Sequence, residues 1–183
     1  MLYQSKTISL KNGTEAYFRS PLVSDASEMM DFLKTCAFET LFILRYPEEC
    51  IETAEQESNY LEGINKSETG IMLVCVIDGK IAGNCQVMFQ SRIKTKHRAS
   101  VAIGLLQRYW QLGIGTAMFR EMIAIAKNMG VLQLELDYIE GNVRAKSLYE
   151  KMGFVQVAER PDAIRLKDGQ MLKEISMIRK LEL

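Results

Sequence analysis

The sequence is poor in histidine, proline and tryptophan, and it carries no net charge. Histidine occurs once among 183 residues, at His97, which excludes a multi-histidine metal site and leaves little room for a histidine-based catalytic triad. The 23 Lys and Arg residues equal the 23 Asp and Glu residues in number. Without an excess of either sign, no global electrostatic field favours nucleic acid or an anionic membrane.

Long apolar runs and patterned cysteines are also missing. No run approaches the roughly 20 apolar residues of a membrane-spanning helix, and the first residues lack the apolar core of a signal peptide. The four cysteines (Cys36, Cys50, Cys75 and Cys85) have no C-x-x-C spacing. We therefore expect a cytoplasmic protein with reduced, mostly buried thiols and no metal site.

The most informative segment begins with the apolar run Val101 to Leu106, which predicts a buried strand. A helical face follows, because Met118, Met122, Ile125 and Met129 recur at helical spacing. Between them lies Y-W-Q-L-G-I-G-T, so a strand leads into a glycine-containing turn that opens a helix. The unpaired N–H groups and positive dipole of a helix start attract anions, and glycines let a phosphate approach the backbone.

Two known phosphate motifs do not fit this turn. A P-loop requires a lysine after its glycine, whereas Gly115 is followed by Thr116 and Ala117. A dinucleotide fingerprint requires a third glycine, which G-I-G-T-A-M lacks. Two glycines that only permit tight packing remain an alternative interpretation of this segment.

A second motif lies downstream. Asn142 is a suitable N-cap, and Gly153 is a suitable terminator for the helix that follows it. The apolar stripe of that helix consists of Ala145, Leu148, Tyr149 and Met152. Before it, a strand alternates Leu132, Leu134 and Leu136 with Gln133, Glu135 and Asp137.

Together, Y-W-x-x-G-I-G-T and N-x-x-A-x-x-L-Y-E-K-x-G-F resemble the GCN5-related N-acetyltransferase (GNAT) family, most strongly over Val101 to Phe154. The resemblance implies an α+β fold with mixed αβα layers. Its central mixed sheet would be mostly antiparallel, with about seven strands, flanked by helices and splayed between the two central strands. It also implies one acetyltransferase-like domain over residues 1–183 and acetyl-CoA as co-substrate, without a metal.

The sequence pattern divides the chain into elements that agree with this fold. We predict strands at Thr14–Arg19, Ile71–Ile77, Lys80–Phe89, Ala99–Leu106, Leu132–Ile139, Phe154–Arg165 and Met171–Leu181. We predict helices from a Ser24 cap to about Phe38, at Glu48–Ile64 after Pro47, at Gly115–Met129 and at Ala145–Met152.

The resemblance also assigns roles in binding acetyl-CoA. Backbone N–H groups of the turn would hold the pyrophosphate, namely those of Gln111, Leu112, Gly113, Ile114, Gly115 and Thr116. The backbones of Leu105 and Leu106 would hold the pantetheine arm and polarise the carbonyl, and Asn142 would contact the same arm. Tyr149 would protonate the leaving thiolate. The family usually carries Arg or Gln where this chain has Trp110, for which we expect a packing role.

The general base is not evident from the sequence. Many family members carry a glutamate where this chain has Ser100, which cannot act as a base unaided. Glu135 is the tentative candidate, acting through a water, with Asp137 and Glu140 as weaker ones. Alternatively no carboxylate acts, and the site selects the neutral fraction of the amine.

The identity of the acceptor amine also stays open. Glu48, Glu49, Glu52, Glu55, Glu57, Glu62 and Glu68 form either a solvated helix face or an acidic rim for a cationic amine such as a polyamine, an aminoglycoside or a peptide terminus. We expect an acyltransferase that moves an acetyl group by direct attack to a primary amine of a small molecule or of a peptide N-terminus or lysine. We expect no nucleic-acid or membrane partner, and a homodimer stays open. The alternative is a non-catalytic acyl-CoA-binding or regulatory domain of the same fold.

Overall fold

The computed structural model describes residues 1–182, which form an α+β fold. The helices are α1 (Ala26–Glu39), α2 (Ala54–Lys66), α3 (Ile114–Asn128) and α4 (Val143–Lys151). The strands are β1 (Lys6–Ser9), β2 (Glu15–Arg19), β3 (Gly70–Ile77), β4 (Lys80–Phe89), β5 (Arg98–Leu105), β6 (Gln133–Ile139), β7 (Val155–Arg165) and β8 (Met171–Lys180).

The eight strands form one sheet in the order β1-β2-β3-β4-β5-β6-β8-β7. Neighbouring strands are mostly antiparallel, whereas β5 and β6 are parallel. The β5–β6 ladder has three registered pairs, from Arg98↔Gln133 to Ser100↔Glu135, and such a short ladder is expected of central strands that splay. The expected fold class is confirmed.

The sheet has eight strands instead of about seven because β1 was not predicted. This strand, K-T-I-S, is four residues long and mostly exposed. A short edge strand of this kind lacks the apolar alternation that identifies a half-buried strand. It is held by backbone pairing with β2, which the sequence pattern does not report.

The chain divides into two compact units by its internal contacts. The first comprises Met1–Met88 and Ala102–Met118. Its core lies where α1 and α2 cover the sheet, and it is built from side chains at helical spacing on both helices and from alternate strand residues. The principal buried members are Met29, Phe32, Cys36, Leu61, Ile64, Met72, Val74 and Ile81.

The second unit comprises Phe89–Val101 and the chain from Phe119 onward. Its core combines the inner face of α3, alternate residues of β6 and the buried side of α4. The buried members include Phe119, Met122, Leu134, Leu136, Tyr138, Tyr149, Phe154 and Met177. Of the three leucines predicted to share a face, Leu134 and Leu136 are buried, whereas Leu132 precedes the strand and is 44% exposed.

Two predicted helix starts were wrong. Ser24 does not cap α1, since Val23–Asp25 forms a short 3-10 turn and α1 begins at Ala26. Pro47 opens another such turn, Pro47–Glu49, and α2 begins only at Ala54. The reason for the later start is a capping box: Thr53 Oγ1 accepts from Gln56 N at 3.2 Å, and Gln56 Oε1 accepts from Thr53 N at 2.8 Å.

The burial of the cysteines and the character of the helices bear on two further expectations. Cys36, Cys75 and Cys85 are buried and Cys50 is half-buried, and none of the four is in a disulfide, as predicted. Within residues 1–182, no helix is long and apolar enough to cross a lipid bilayer.

Candidate active site

In the first unit, the segment that follows β5 is anchored at both ends. Glu39 Oε2, at the end of α1, accepts a hydrogen bond from Gln107 N at 2.7 Å. The indole N–H of Trp110 donates to Leu105 O at 2.9 Å, which fastens the segment to the end of the strand. Trp110 therefore has a structural hydrogen bond, which its expected packing role did not include.

The turn itself requires unusual backbone geometry. Gln111 has φ +67° and Gly113 has φ +92°, so two residues in close succession adopt the left-handed region. The first helical bond of α3 runs from Ala117 N to Gly113 O at 3.0 Å. Because Gly113 is thus the N-cap, the N–H groups of Ile114, Gly115 and Thr116 have no acceptor within the helix. Alternating backbone conformations that present several N–H groups form an anion-binding concavity.

The two leucines expected to contact the acyl donor differ in their backbone partners. Leu106 N donates to Ala82 O on β4 at 3.1 Å, so this N–H is already used within the protein. Successive N–H groups of a strand point to opposite edges. The N–H of Leu105 therefore points away from β4, and it is the better candidate of the two for a ligand carbonyl.

A cavity of about 150 Å³ lies in the first unit. Its walls are mainly apolar or thiol side chains, with three polar groups contributed by Arg45, Asn84 and Gln86. The remaining lining residues are Phe32, Leu33, Cys36, Ile43, Cys50, Cys85, Ala102, Ile103 and Gly104. The absence of a side chain on Gly104 helps to keep the cavity open. A β-carbon at this position would lie 3.1 Å from Asn84 Oδ1 and 3.6 Å from Phe32 Cζ, and would occupy part of the space. The volume is close to that of a cavity that accommodates benzene.

An ion pair lies at this cavity. Arg45 forms a salt bridge with Glu52, and both side chains are more than one third exposed. Glu57 is only 6% exposed, and its Oε1 has no hydrogen-bond partner within residues 1–182. Burial raises the pKa of the Glu57 carboxyl, and the Glu52 charge adds to that rise. Close by, Tyr60 Oη donates to Gln86 Oε1 at 3.2 Å.

Two of the other acids expected to form a rim have partners close in the chain. Glu49 Oε2 accepts from Tyr46 N at 2.7 Å, and Glu62 pairs with Lys66 at 2.6 Å. These contacts favour the interpretation of that stretch as a solvated, capped helix face. Arg45, which lines the cavity, was not singled out from the sequence.

In the second unit, Tyr149 is 8% exposed and surrounded by aromatic rings. Its ring centroid lies 5.5 Å from that of Phe119, 5.9 Å from that of Tyr138 and 6.3 Å from that of Phe154. Burial raises the pKa of the Tyr149 phenol to about 12, with a further contribution from Tyr138. On the same helix, Asn142 Oδ1 accepts from Ala145 N at 3.1 Å, which confirms its role as a cap.

Glu135 is engaged by its neighbours in the second unit. Arg98 binds it through two nitrogens, with Nη2 at 2.6 Å from Oε2, and Gln133 Nε2 lies 2.5 Å from Oε1. The Arg98 hydrogen bonds hold the pKa of the Glu135 carboxyl below its usual range, although partial burial opposes this effect. A carboxylate with a lowered pKa is a weak proton acceptor. Arg98 lies 37 residues earlier in the chain, so no local pattern could have revealed the pair.

The remaining acids of this region also have protein partners. Asp137 Oδ1 accepts from Ser176 Oγ, and Glu140 Oε2 accepts from Lys173 N at 3.2 Å. Ser100, at the place of the usual glutamate, is exposed and is registered opposite Glu135. Within residues 1–182, no cluster of three or more His, Cys, Asp or Glu side chains is arranged to hold a metal ion.

Comparison with known proteins identifies the class of protein that this fold and these motifs define. The sequence profile of the Acetyltransferase (GNAT) family matches residues 28–154. The chain belongs to this family of acetyltransferases, and the resemblance stated from its two motifs is confirmed.

Individual relatives support the same class. The chain is 30% identical over 108 residues to an L-amino acid N-acetyltransferase of Escherichia coli strain K12, and the match spans 58% of this chain and 66% of that enzyme, just under two thirds. A GNAT-family acetyltransferase from Streptococcus pneumoniae has 26% identity and a TM-score of 0.84, covering 91% of this chain and 99% of that one. A protein from Salmonella typhimurium, described as an acetyltransferase with its cofactor acetyl-CoA, shares the fold at 16% identity and a TM-score of 0.77, covering 91% and 94%.

Proposed function

We propose that this protein transfers an acetyl group from acetyl-CoA, by direct attack, to the primary amine of a small acceptor that carries a carboxylate, such as an α-amino acid. The observation that supports this class of acceptor is the cavity of about 150 Å³, which combines apolar walls with the guanidinium of Arg45. The similarity to the E. coli L-amino acid N-acetyltransferase supports the same class of acceptor.

The donor would be held by the turn after β5. The unpaired N–H groups of Ile114, Gly115 and Thr116, at the positive end of α3, suit a pyrophosphate. Gln111 and Gly113 adopt the positive φ values that shape this concavity. The N–H of Leu105 would polarise the thioester carbonyl, and such a donor is worth about 2.7–4 kcal/mol in other enzymes. Asn142 would contact the pantetheine arm in addition to capping α4.

The acceptor would place its carboxylate on Arg45 and its apolar side chain in the cavity. Arginine binds carboxylates in a two-pronged geometry that lysine cannot reproduce. The salt bridge with Glu52 positions the Arg45 guanidinium at the cavity before the acceptor binds. The amide side chains of Asn84 and Gln86 would orient the acceptor by hydrogen bonds.

Proton transfers complete the reaction. Tyr149 would protonate the leaving thiolate, because its raised pKa of about 12 keeps the phenol neutral at physiological pH. The proton that the attacking nitrogen loses on forming the amide would return to the phenolate through solvent, which restores the general acid. A phenol with this pKa is a weak acid in water, but burial also destabilises a thiolate formed beside it. Since Arg98 occupies Glu135, the amine would enter in its neutral form, and the rate would rise with pH toward the acceptor's own pKa.

The test is thiol release from acetyl-CoA with matched acceptors. Amino acids with apolar side chains should be acetylated at least tenfold more efficiently than their amides, which have no carboxylate. Arg45→Gln should lower kcat/KM for the acid by about tenfold and leave the amide within twofold. Arg45→Lys keeps the charge but not the two-pronged guanidinium geometry, so its kcat/KM for the acid should lie between those of wild type and Arg45→Gln.

Three results would contradict the proposal. Equal rates for acids and amides would show that the acceptor does not need a carboxylate. An equal loss on both acceptors in Arg45→Gln would make Arg45 a structural residue. No thiol release above the rate with water, together with retained acetyl-CoA binding, would support the non-catalytic alternative.

A further inference from the structure

The loop between β1 and β2 contacts the phosphate-binding turn through Lys11, a residue outside both motifs. Lys11 N donates to Leu112 O at 3.2 Å. The side chain runs over Gly113, since a β-carbon on this glycine would lie 3.5 Å from Lys11 Cγ and 3.7 Å from Cε. The ammonium lies one covalent bond beyond Cε, so it is carried next to the N-cap of α3.

The loop that carries Lys11 is a tight turn with three internal hydrogen bonds. Leu10 is 6% exposed and its N–H donates to Thr14 O at 2.8 Å. Gly13, with φ +83°, donates to Leu10 O at 3.0 Å, and Asn12 Oδ1 accepts from Thr14 N at 3.1 Å. A tight turn of this kind fixes the start of the side chain, which lowers the entropy lost when its ammonium is ordered by a ligand.

The charge of Lys11 is available. Its side chain is exposed, and within residues 1–182 no acidic side chain forms an ion pair with it. The segment from Leu105 to Arg120 contains no acidic residue, so the surroundings of the turn in sequence are neutral or cationic. A free ammonium beside several unpaired N–H groups suits a multiply charged phosphate.

We propose that Lys11 is a phosphate-binding residue whose ammonium contacts the pyrophosphate of CoA at the turn 111–116. This inference rests on the proposed function only in taking that turn as the CoA site. The pyrophosphate is assigned, and not the 3′-phosphate of the same ligand, because the lysine stem lies on Gly113, where the helix N–H groups begin.

The test is the affinity of the full chain for CoA, dephospho-CoA and pantetheine, measured by calorimetry. Lys11→Met keeps the apolar stem and removes the charge, so it should weaken CoA and dephospho-CoA alike by about three- to tenfold at low salt. The loss should shrink at high salt, and Lys11→Arg should stay within twofold of wild type. Pantetheine, which has no phosphate, should bind all variants equally.

Lys80→Met is the matched control, because Lys80 is exposed in the same unit at the turn that starts β4. It removes the same charge and should leave CoA affinity unchanged. Unchanged affinity in Lys11→Met, an equal loss in Lys80→Met, or a loss for CoA but not for dephospho-CoA would each overturn the inference. Failure of wild type to bind CoA would overturn the proposed function itself, which is a separate result. Lys11→Gln repeats the test if the Met variant is unstable.

Discussion

Tyr149 is the residue in which packing and chemistry can be separated most cleanly. Its ring contacts Phe119, Tyr138 and Phe154, so the aromatic ring supports the second unit regardless of the hydroxyl. Within residues 1–182 the hydroxyl has no protein hydrogen-bond partner. This hydroxyl is not one of the fully buried polar atoms that lack a hydrogen-bond partner, so it reaches solvent although its ring is buried. The ring and the hydroxyl can therefore be changed separately.

We predict that Tyr149→Phe keeps the fold and lowers kcat by about 10²- to 10⁴-fold, because the ring remains and the general acid is lost. Tyr138→Phe is the matched control, since Tyr138 belongs to the same aromatic cluster and is 7% exposed. It should stay within about threefold of wild type. Steady-state kinetics with chemistry shown to be rate-limiting, together with melting temperatures, provide the measurement. Equal kcat values for both variants would reduce Tyr149 to a packing residue.

At the level of elements, the turn between β5 and α3 stores backbone strain at Gln111. This residue has φ +67° without being glycine, whereas Gly113 has φ +92° at no steric cost. A residue with a β-carbon in the left-handed region costs about 1–2 kcal/mol. The anchors at Gln107 and Trp110 hold the segment in place and so maintain the strained conformation.

We predict that Gln111→Gly raises the free energy of unfolding by about 0.5–1 kcal/mol, the relief of strain being partly offset by the greater entropy of glycine in the unfolded chain. Gly113→Ala, two residues away, should have the opposite sign and cost about 1–2 kcal/mol, because it forces a β-carbon into the same region. Urea unfolding of both variants measures the difference. Destabilisation by Gln111→Gly would show that the glutamine side chain contributes contacts that outweigh its backbone strain.

For the molecule as a whole, buried protonated groups limit stability at alkaline pH. Burial raises the pKa of the Cys36 and Cys75 thiols from 9.0 to about 12. Each folded-state pKa is raised, so each contribution is fully present below pH 9 and is lost as pH rises toward 12. The unfolded chain releases these protons first, and stability therefore falls across that window.

We predict a loss of about 2 kcal/mol per buried thiol between pH 8 and pH 10.5, since one pH unit above the unfolded pKa corresponds to about 1.4 kcal/mol. Cys75→Ala should remove the contribution of this thiol to the pH dependence of the free energy of unfolding, although it also deletes a buried group. Cys50→Ala, at a half-buried position, is the control and should leave the slope as it is. Urea unfolding at the two pH values gives the comparison, and identical slopes for wild type and Cys75→Ala would refute the assignment.

Much of the fold follows from local pattern, and particular elements show why. The alternation around Leu134 and Leu136 identified β6, and the stripe of α4 with its Asn142 cap identified that helix to within two residues. The start of α2 was misplaced because Pro47 gave a strong local signal, and the capping box at Thr53 prevailed. The edge strand β1 was missed because only its pairing with β2 defines it.

The sequence by itself determined the class of protein, since glycines with unpaired helix N–H groups and a capped helix bearing Tyr149 are local features that short spacings encode. Tertiary structure alone decided which charged side chains are paired and what they contact. The pairing of Arg98 with Glu135 joins residues 37 positions apart, and Lys11 reaches Gly113 across about a hundred residues. Pairing of charges depends on distance in space, which the order of residues does not report until the chain has folded.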